Sequence, residues 1–200
     1  MWDHNAHFHQ HLLHHCPKKV RRSLDIGCGF GLFAFKLANR AEHVDALDVD
    51  SSVLREAFIL HSLPNIAYQQ ADFLEADLPK NSYDAIVSIA SIHHMDLELA
   101  LIKMKELLQP SGRLLILGLY KEETLLDYLY SAVSVPINLI CLNWHQASNR
   151  VSAGVSPPTL PAKLSLRQIK SVANHLIPGF RLQRHLFWRY SLIWQKKLSS

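Results

Sequence analysis

Residues 24–31 read Leu24-Asp25-Ile26-Gly27-Cys28-Gly29-Phe30-Gly31, and Leu32-Phe33-Ala34-Phe35-Lys36-Leu37 follows directly. The first half is the short apolar run of a buried strand. The second half has helical spacing, with Leu32, Phe33, Leu37 and Ala38 available for one face. Between them stand three glycines separated by single residues. Glycine accepts positive φ and, lacking a side chain, lets a ligand lie against the main chain. Strand, glycine turn, helix is the arrangement with which open α/β sheets bind nucleotides at the carboxyl ends of their strands.

The spacing narrows the ligand. A dinucleotide fingerprint is G-x-G-x-x-G, which would need its third glycine at position 32, and Leu32 stands there. A phosphate-cradling loop would end in Lys-Ser or Lys-Thr, and none follows. The acid Asp25 precedes the first glycine by two residues, at the end of the strand. A carboxylate there suits a ligand carrying positive charge and suits a pyrophosphate poorly.

Downstream, strands and helices alternate. His43 to Asp48 reads as a second strand ending in an acid, and Asp50 is the N-cap or first-turn acid of a helix from Ser51 to about His61. Val53, Leu54, Ala57 and Phe58 are its inward residues. Ile66 to Gln70 is a short third strand followed by Ala71-Asp72-Phe73. Leu78-Pro79-Lys80-Asn81-Ser82-Tyr83-Asp84 leads into the apolar strand Ala85 to Ala90, whose continuous run fits a parallel strand covered on both faces. Ser91-Ile92-His93-His94-Met95 follows. Asp96 caps a helix carrying Leu97, Ala100, Leu101, Met104, Leu107 and Leu108 at helical steps. Pro110-Ser111-Gly112 stops it, and Arg113 to Leu119 is a fifth strand. Ser165 and Gln168 form a capping box at the head of a further helix. Phe180 to Leu186 and Tyr190 to Gln195 read as two last strands.

This constellation resembles class I S-adenosylmethionine-dependent methyltransferases of the small-molecule type. D-x-G-C-G-x-G after a strand is like their first motif, and the turn Leu78 to Asp84 and the stop Pro110 to Gly112 also fit their pattern. Ser111 occupies a slot that is often glycine. The resemblance covers residues 22–119 closely and 165–197 more loosely. It implies a Rossmann-like, doubly wound α/β fold. The seven-stranded sheet would be mostly parallel with an antiparallel last strand, in the order 3-2-1-4-5-7-6, and helices would cover both faces. The whole chain, 1–200, would be one domain.

The resemblance also implies roles. Asp25 would lie near the methionine amino end of S-adenosylmethionine, with Gly27, Gly29 and Gly31 passing beneath it. Asp48 would hold the ribose, Asp72 and the Phe73 backbone would fix the adenine, and Ile89 would pack near the ring or ribose. His94, and second His93, are the candidate general bases, with His7 or His9 if the leading segment closes the site. Each of these histidines is equally readable as a hydrogen-bonded residue near a strand end. The Asp/Asn-Pro-Pro-Tyr/Phe tetrapeptide of base-amino methyltransferases is absent after the fourth strand. The implied reaction is methyl transfer to an O, N or S atom of a small acceptor. A lipid or macromolecular acceptor, or a cofactor-binding module without catalysis, is the alternative.

Composition agrees with one ordinary globular domain. The 200 residues are 48% apolar and 19% charged, with a formal net charge of +4. No run of Lys or Arg makes a phosphate-tracking stripe, so a nucleic-acid partner is not expected. Cys16, Cys28 and Cys141 are odd in number and widely spaced, which points to a reducing cytoplasm rather than a disulfide framework or zinc site. The N-terminus carries no secretory hydrophobic run.

Two segments fall outside the common pattern. Residues 1–20 read as a leading helix or lid, with Trp2, Asn5, His7, Phe8 and His9 as candidate pocket residues. His7, His11 and His15 share a helical face, but no local carboxylate or cysteine completes a metal site, and no metal is expected. Residues 120–164 read as an inserted helical cap with a Ser- and Pro-rich loop. Residues 124–144 carry Asp127 as their single formal charge. Pro136, Asn138 and Asn143 dilute this run, so a cap over the substrate pocket is favoured over contact with a membrane surface.

Overall fold

The computed structural model of the chain describes residues 8–130, 134 and 161–198. Its elements are α1 (His9–His15), β1 (Val20–Ile26), α2 (Leu32–Ala38), β2 (Ala41–Asp48), α3 (Ser51–His61), β3 (Ile66–Gln70) and β4 (Tyr83–Ile89). A 3₁₀ turn (Ile92–His94), α4 (Leu97–Leu107), β5 (Leu108–Leu119), α5 (Leu166–Leu176), β6 (Arg181–Arg184) and β7 (Arg189–Gln195) follow. The strands form one sheet in the order β3-β2-β1-β4-β5-β7-β6. The first five are mutually parallel, and β7 runs antiparallel to both β5 and β6. The doubly wound sheet expected from the resemblance is therefore present, strand for strand.

Alternation along the strands feeds two cores. Leu24, Ile26, Ile86, Leu114 and Ile116 pack beneath α4 and α5. Val44, Ala46, Ala85, Val87, Leu115 and Leu117 pack on the opposite face beneath α1, α2 and α3. Caps explain where helices begin. Asp50 accepts the Ser52 and Val53 N–H groups, Asp96 accepts that of Leu99, and Ser165 with Gln168 completes its capping box.

Two expectations need correction. Phe58 does not face inward: it is 63% exposed, beside exposed Ile59 and Leu60. The sheet ends at β3, so α3 has strands to cover with Val53, Leu54 and Ala57 and nothing to meet on its outer side. The fifth strand also starts earlier than Arg113. Pro110 to Gly112 continues as strand after α4, with Ser111 at φ +65° and an irregular register against β4.

α1 runs along the sheet from the carboxyl ends of the parallel strands toward their amino ends. Its Phe8 and His11 rings lie 4.9 and 5.2 Å from that of His185, next to the start of β7. At its other end the carbonyls of Leu13 and His15 accept from Arg40 and Arg113. These guanidinium donors satisfy the orphan acceptors of a helix C-terminus.

At the amino end of the sheet, Asp45 gathers Arg22 Nε (2.7 Å), Tyr83 Oη (2.9 Å) and His43 Nε2 (3.0 Å). Burial alone would raise its carboxyl, but the hydrogen bonds from Arg22, Tyr83 and His43 outweigh it and hold the pKa below the usual range. Asp45→Ala leaves the buried Tyr83 hydroxyl without its acceptor. It is expected to cost about 2 kcal/mol by urea denaturation at neutral pH, since Arg22 is partly solvated. A depressed pKa means the contribution is present above the unfolded value and lost as pH falls. The difference between variant and wild type should therefore shrink below about pH 4.

Candidate active site

The carboxyl ends of β1, β2, β3 and β4 meet around the glycine turn. Gly27, Gly29 and Gly31 all have positive φ, at 68°, 54° and 75°. Their missing side chains serve different ends. A Cβ on Gly27 would overlap Ser91 Cβ, and one on Gly31 would overlap the Tyr68 hydroxyl. A Cβ on Gly29 would meet nothing within 4 Å. Gly27 and Gly31 are glycines for packing, while the backbone at Gly29 faces open space.

Asp48, at the tip of β2, is tied to this turn. Its Oδ2 accepts the Gly29 N–H at 2.9 Å and its Oδ1 accepts the Asp50 N–H at 3.1 Å. A carboxylate oxygen has a second lone pair, so both remain able to accept hydroxyl groups. The Asp48 carbonyl accepts the Ala71 N–H at 3.0 Å, which joins the tip of β2 to the turn after β3.

Asp25 is 1% exposed, and its Oδ2 is buried with no hydrogen-bond partner. Burial pushes its carboxyl up to about 7, the charge of Asp48 adds to this, and the Ala34 backbone N–H at the head of α2 opposes it. An orphaned buried carboxylate oxygen beside a second acid is costly unless a cationic donor meets it. The neighbouring Cys28 thiol is raised by burial, then by Asp25 and Asp48, and stays protonated.

Beyond β3, Asp72 is exposed and Phe73 is buried. Asp72 Oδ1 accepts the Leu74 N–H at 2.8 Å, and its carbonyl accepts from Glu75 and Ala76. Ile89 ends β4, partly buried against the α2 face. Ala90 then takes φ +52°, which turns the chain so that Ser91 Oγ donates to the Ile26 carbonyl at 2.6 Å. His93 and His94 follow on the 3₁₀ turn with ring centroids 4.0 Å apart. His94 is exposed and His93 half-buried.

The structure thus gathers Asp25, Gly27, Gly29, Gly31 and Asp48 at the carboxyl ends of β1 and β2, with Asp48 bonded to Gly29, Asp72 and Phe73 on the adjoining turn and Ile89, His93 and His94 on the next tip. Two residues of the site were missed in the sequence. Ser91 clamps the β4 tip onto β1. Val49, flanked by Asp48 and Asp50, is 64% exposed, an apolar surface at the strand tips. Val49 could have been flagged as an apolar residue between two strand-tip acids; Ser91 left no signal.

Of the leading segment, His9 is 4% exposed, its ring edge-on to Phe33 at 4.9 Å and its Nδ1 3.1 Å from Lys36 Nζ. Phe8 is buried in the same layer. His9 is packed against α2 and Phe8 against His185 between β6 and β7. Trp2, Asn5 and His7 lie outside the described residues, as does most of 131–160.

The described start of the 120–164 insertion docks on the β6–β7 hairpin. Arg184 pairs with buried Asp127 at 2.7 Å and lies over the Tyr120 and Tyr130 rings at 5.7 and 5.3 Å. Trp188 Nε1 donates to Glu122 at 3.0 Å, and the Phe187 N–H to Ser134 Oγ at 3.0 Å. Leu125, Leu126, Tyr128 and Leu129 stay exposed. Among the described residues no helix is long and apolar enough to cross a membrane, and no group of three His, Cys, Asp or Glu is placed to hold a metal.

A seven-stranded sheet of this order, with a glycine turn at β1 and acids at successive strand tips, defines the class I S-adenosylmethionine-dependent methyltransferase fold. The chain belongs to that family. The family model for a methyltransferase domain matches residues 24–116. An uncharacterised methyltransferase of Mycobacterium tuberculosis is 31% identical over 198 residues, spanning 97% of this chain and 96% of the relative. The S-adenosylmethionine-dependent methyltransferase structure from Mesorhizobium loti aligns with TM-score 0.64 at 15% identity, covering 94% of this chain and 96% of its own. N-methyltransferase NodS from Bradyrhizobium japonicum, solved with S-adenosyl-L-homocysteine, aligns with TM-score 0.63 at 15% identity, covering 96% and 86%.

Proposed function

We propose that this chain binds S-adenosylmethionine and transfers its methyl group to an O, N or S atom of a small molecule in the cytoplasm. The observation that carries the reading is the orphaned, buried Oδ2 of Asp25 beside the open backbone of Gly29 and the carboxylate of Asp48. These residues fit the group. Asp25, beneath the turn, offers its negative charge to an ammonium, Gly29 admits a ligand against the main chain, and Asp48 accepts two hydroxyls. Asp72 and the Phe73 backbone take the adenine edge, and Val49 and Ile89 offer apolar contact to the flat ring. The sulfonium, when bound, supplies the activated methyl and its leaving group. The chain's own contribution is to hold the acceptor in line and exclude water, an effect worth up to roughly 7–11 kcal/mol for well-oriented reactants. His94, exposed on the tip beside the glycine turn, is the candidate base for a hydroxyl acceptor, with His93 stacked against it as second choice.

The test is calorimetric titration with S-adenosylhomocysteine and, separately, NAD, repeated with Asp48→Ala. Micromolar affinity for the former and none for the latter is expected. Loss of about 100-fold in the variant would follow from two charge-assisted hydrogen bonds. A folded chain that binds no S-adenosylhomocysteine rejects the reading.

A lipid or macromolecular acceptor is favoured by one observation, the exposed Leu125, Leu126, Tyr128 and Leu129 on a segment anchored beside the strand tips. Sedimentation with lipid vesicles separates this reading from the first.

A further inference from the structure

α4 turns Leu97, Ala100, Leu101, Met104 and Leu107 into the core. Lys103 stands on its flank and reaches across to the turn after β3. Its Nζ donates to the carbonyl of Leu74 at 3.0 Å and to that of Ala76 at 2.5 Å. It also lies 5.3 Å from the centroid of the Phe73 ring. The same turn is held from within, where Asp72 accepts the Leu74, Glu75 and Ala76 N–H groups. The backbone of 72–76 is thus fixed from both sides, by the Asp72 carboxylate at the Leu74 amide, by the Asp72 main-chain carbonyl at the next two amides, and by a lysine at the Leu74 and Ala76 carbonyls.

Lys103 also lies close enough to Glu106 to favour its charged form, after the larger effect of Lys80. It borders an open groove of about 350 Å³ with Leu74, Ala76, Leu78 and Ile102. Lys80 and Glu106, which also line the groove, pair with each other at 2.9 Å. Replacing the ammonium therefore opens no cavity in the core.

From these contacts we infer that Lys103 is a positioning residue for cofactor binding, holding Asp72 and Phe73 in place for the adenine end without touching the ligand. The inference rests on the binding reading above. A turn that must be ordered at the moment of binding lowers affinity, and one ordered beforehand does not.

The test compares Lys103→Met, Lys103→Arg and wild type. Lys103→Met is expected to weaken S-adenosylhomocysteine about tenfold, the scale of one lost charge-assisted hydrogen bond. 5′-Deoxy-5′-methylthioadenosine, which shares the adenosine and lacks the amino-acid end, should weaken by the same factor. Hydrogen exchange at the Leu74, Glu75 and Ala76 amides should quicken, with the thermal midpoint kept. Lys103→Arg, which restores a charged donor, should recover the affinity to within about threefold. Where Lys103→Met fails to fold, Lys103→Gln is read in its place. A folded variant that binds S-adenosylhomocysteine within about twofold of wild type, or a Lys103→Arg as weak as Lys103→Met, overturns the inference. Wild-type protein that binds no S-adenosylhomocysteine rejects the underlying reading instead, and this inference with it.

Discussion

Asp25→Asn is expected to bind S-adenosylhomocysteine with an affinity that stays flat between about pH 6 and pH 8, where wild type gains up to about tenfold per pH unit on the acid side. The cause is burial. Asp25 is 1% exposed, its carboxyl is pushed up to about 7, and its Oδ2 has no partner. A ligand ammonium pairs with the carboxylate only, so below that pKa binding must expel a proton. Calorimetry in two buffers of different ionisation enthalpy reads the proton directly. Asparagine keeps the shape and has no proton to lose, so the pH slope disappears and the affinity at the alkaline end falls. The same group sets a stability trend of unusual sign. Its folded pKa lies above the unfolded value of 3.8. Its contribution is thus full below the unfolded value and is lost as pH rises through about 7. Free Asp25→Asn should then outlast wild type in urea at about pH 8 and lose that advantage near pH 4. A variant with the wild-type pH slope of binding would show that Asp25 does not meet the ligand's cation.

Gly27→Ala should cost the fold about 2–4 kcal/mol, from left-handed backbone strain and an unrelieved overlap together. Gly27 sits at φ +68°, and the added Cβ would fall on Ser91 Cβ, part of the clamp between β4 and β1. Gly29→Ala carries only the φ penalty, about 1 kcal/mol, because its Cβ meets open space. The two should separate cleanly in paired measurements. Gly27→Ala lowers the urea midpoint strongly. Gly29→Ala lowers it slightly while weakening S-adenosylhomocysteine. Measured against Ser91→Gly alone, which loses the bond to the Ile26 carbonyl, adding Gly27→Ala should cost only the φ penalty. Equal destabilisation by both single variants would contradict this division of labour.

Much of the fold was legible because it is written in local patterns. Glycine punctuation, strand-tip acids and capping residues mark element boundaries, and Ser51–His61 and Ile66–Gln70 begin and end where the sequence places them. The strand order was not derivable from spacing and came from resemblance. The Phe58 error has a clear origin. Phe58 has helical spacing for an inward face, but whether a face is covered depends on where the sheet ends. Ser91 and Lys103 likewise have partners far away in sequence, namely the Ile26 carbonyl and the Leu74 and Ala76 carbonyls. No periodicity encodes such contacts. Asp25 drew notice as an acid just before the glycine turn, Asp48 through the resemblance, and the geometry adds that one has an orphaned oxygen while the other is shared with Gly29 and Asp50.

The Lys121 N–H donates to the Leu164 carbonyl at 2.8 Å, and Lys121 pairs with Ser165 in a parallel bridge. The chain between Lys121 and Leu164 therefore departs from and returns to one point on the sheet. Closing a loop costs only about 0.6 kcal/mol more for each doubling of its length. A lineage could lengthen, shorten or replace what lies between these residues at little cost to the rest. The Asp127–Arg184, Tyr130–Arg184, Glu122–Trp188 and Ser134–Phe187 contacts are among those that would have to be renegotiated with the β6–β7 hairpin. Such a neck makes the segment beside the strand tips an interchangeable part on an unchanged sheet.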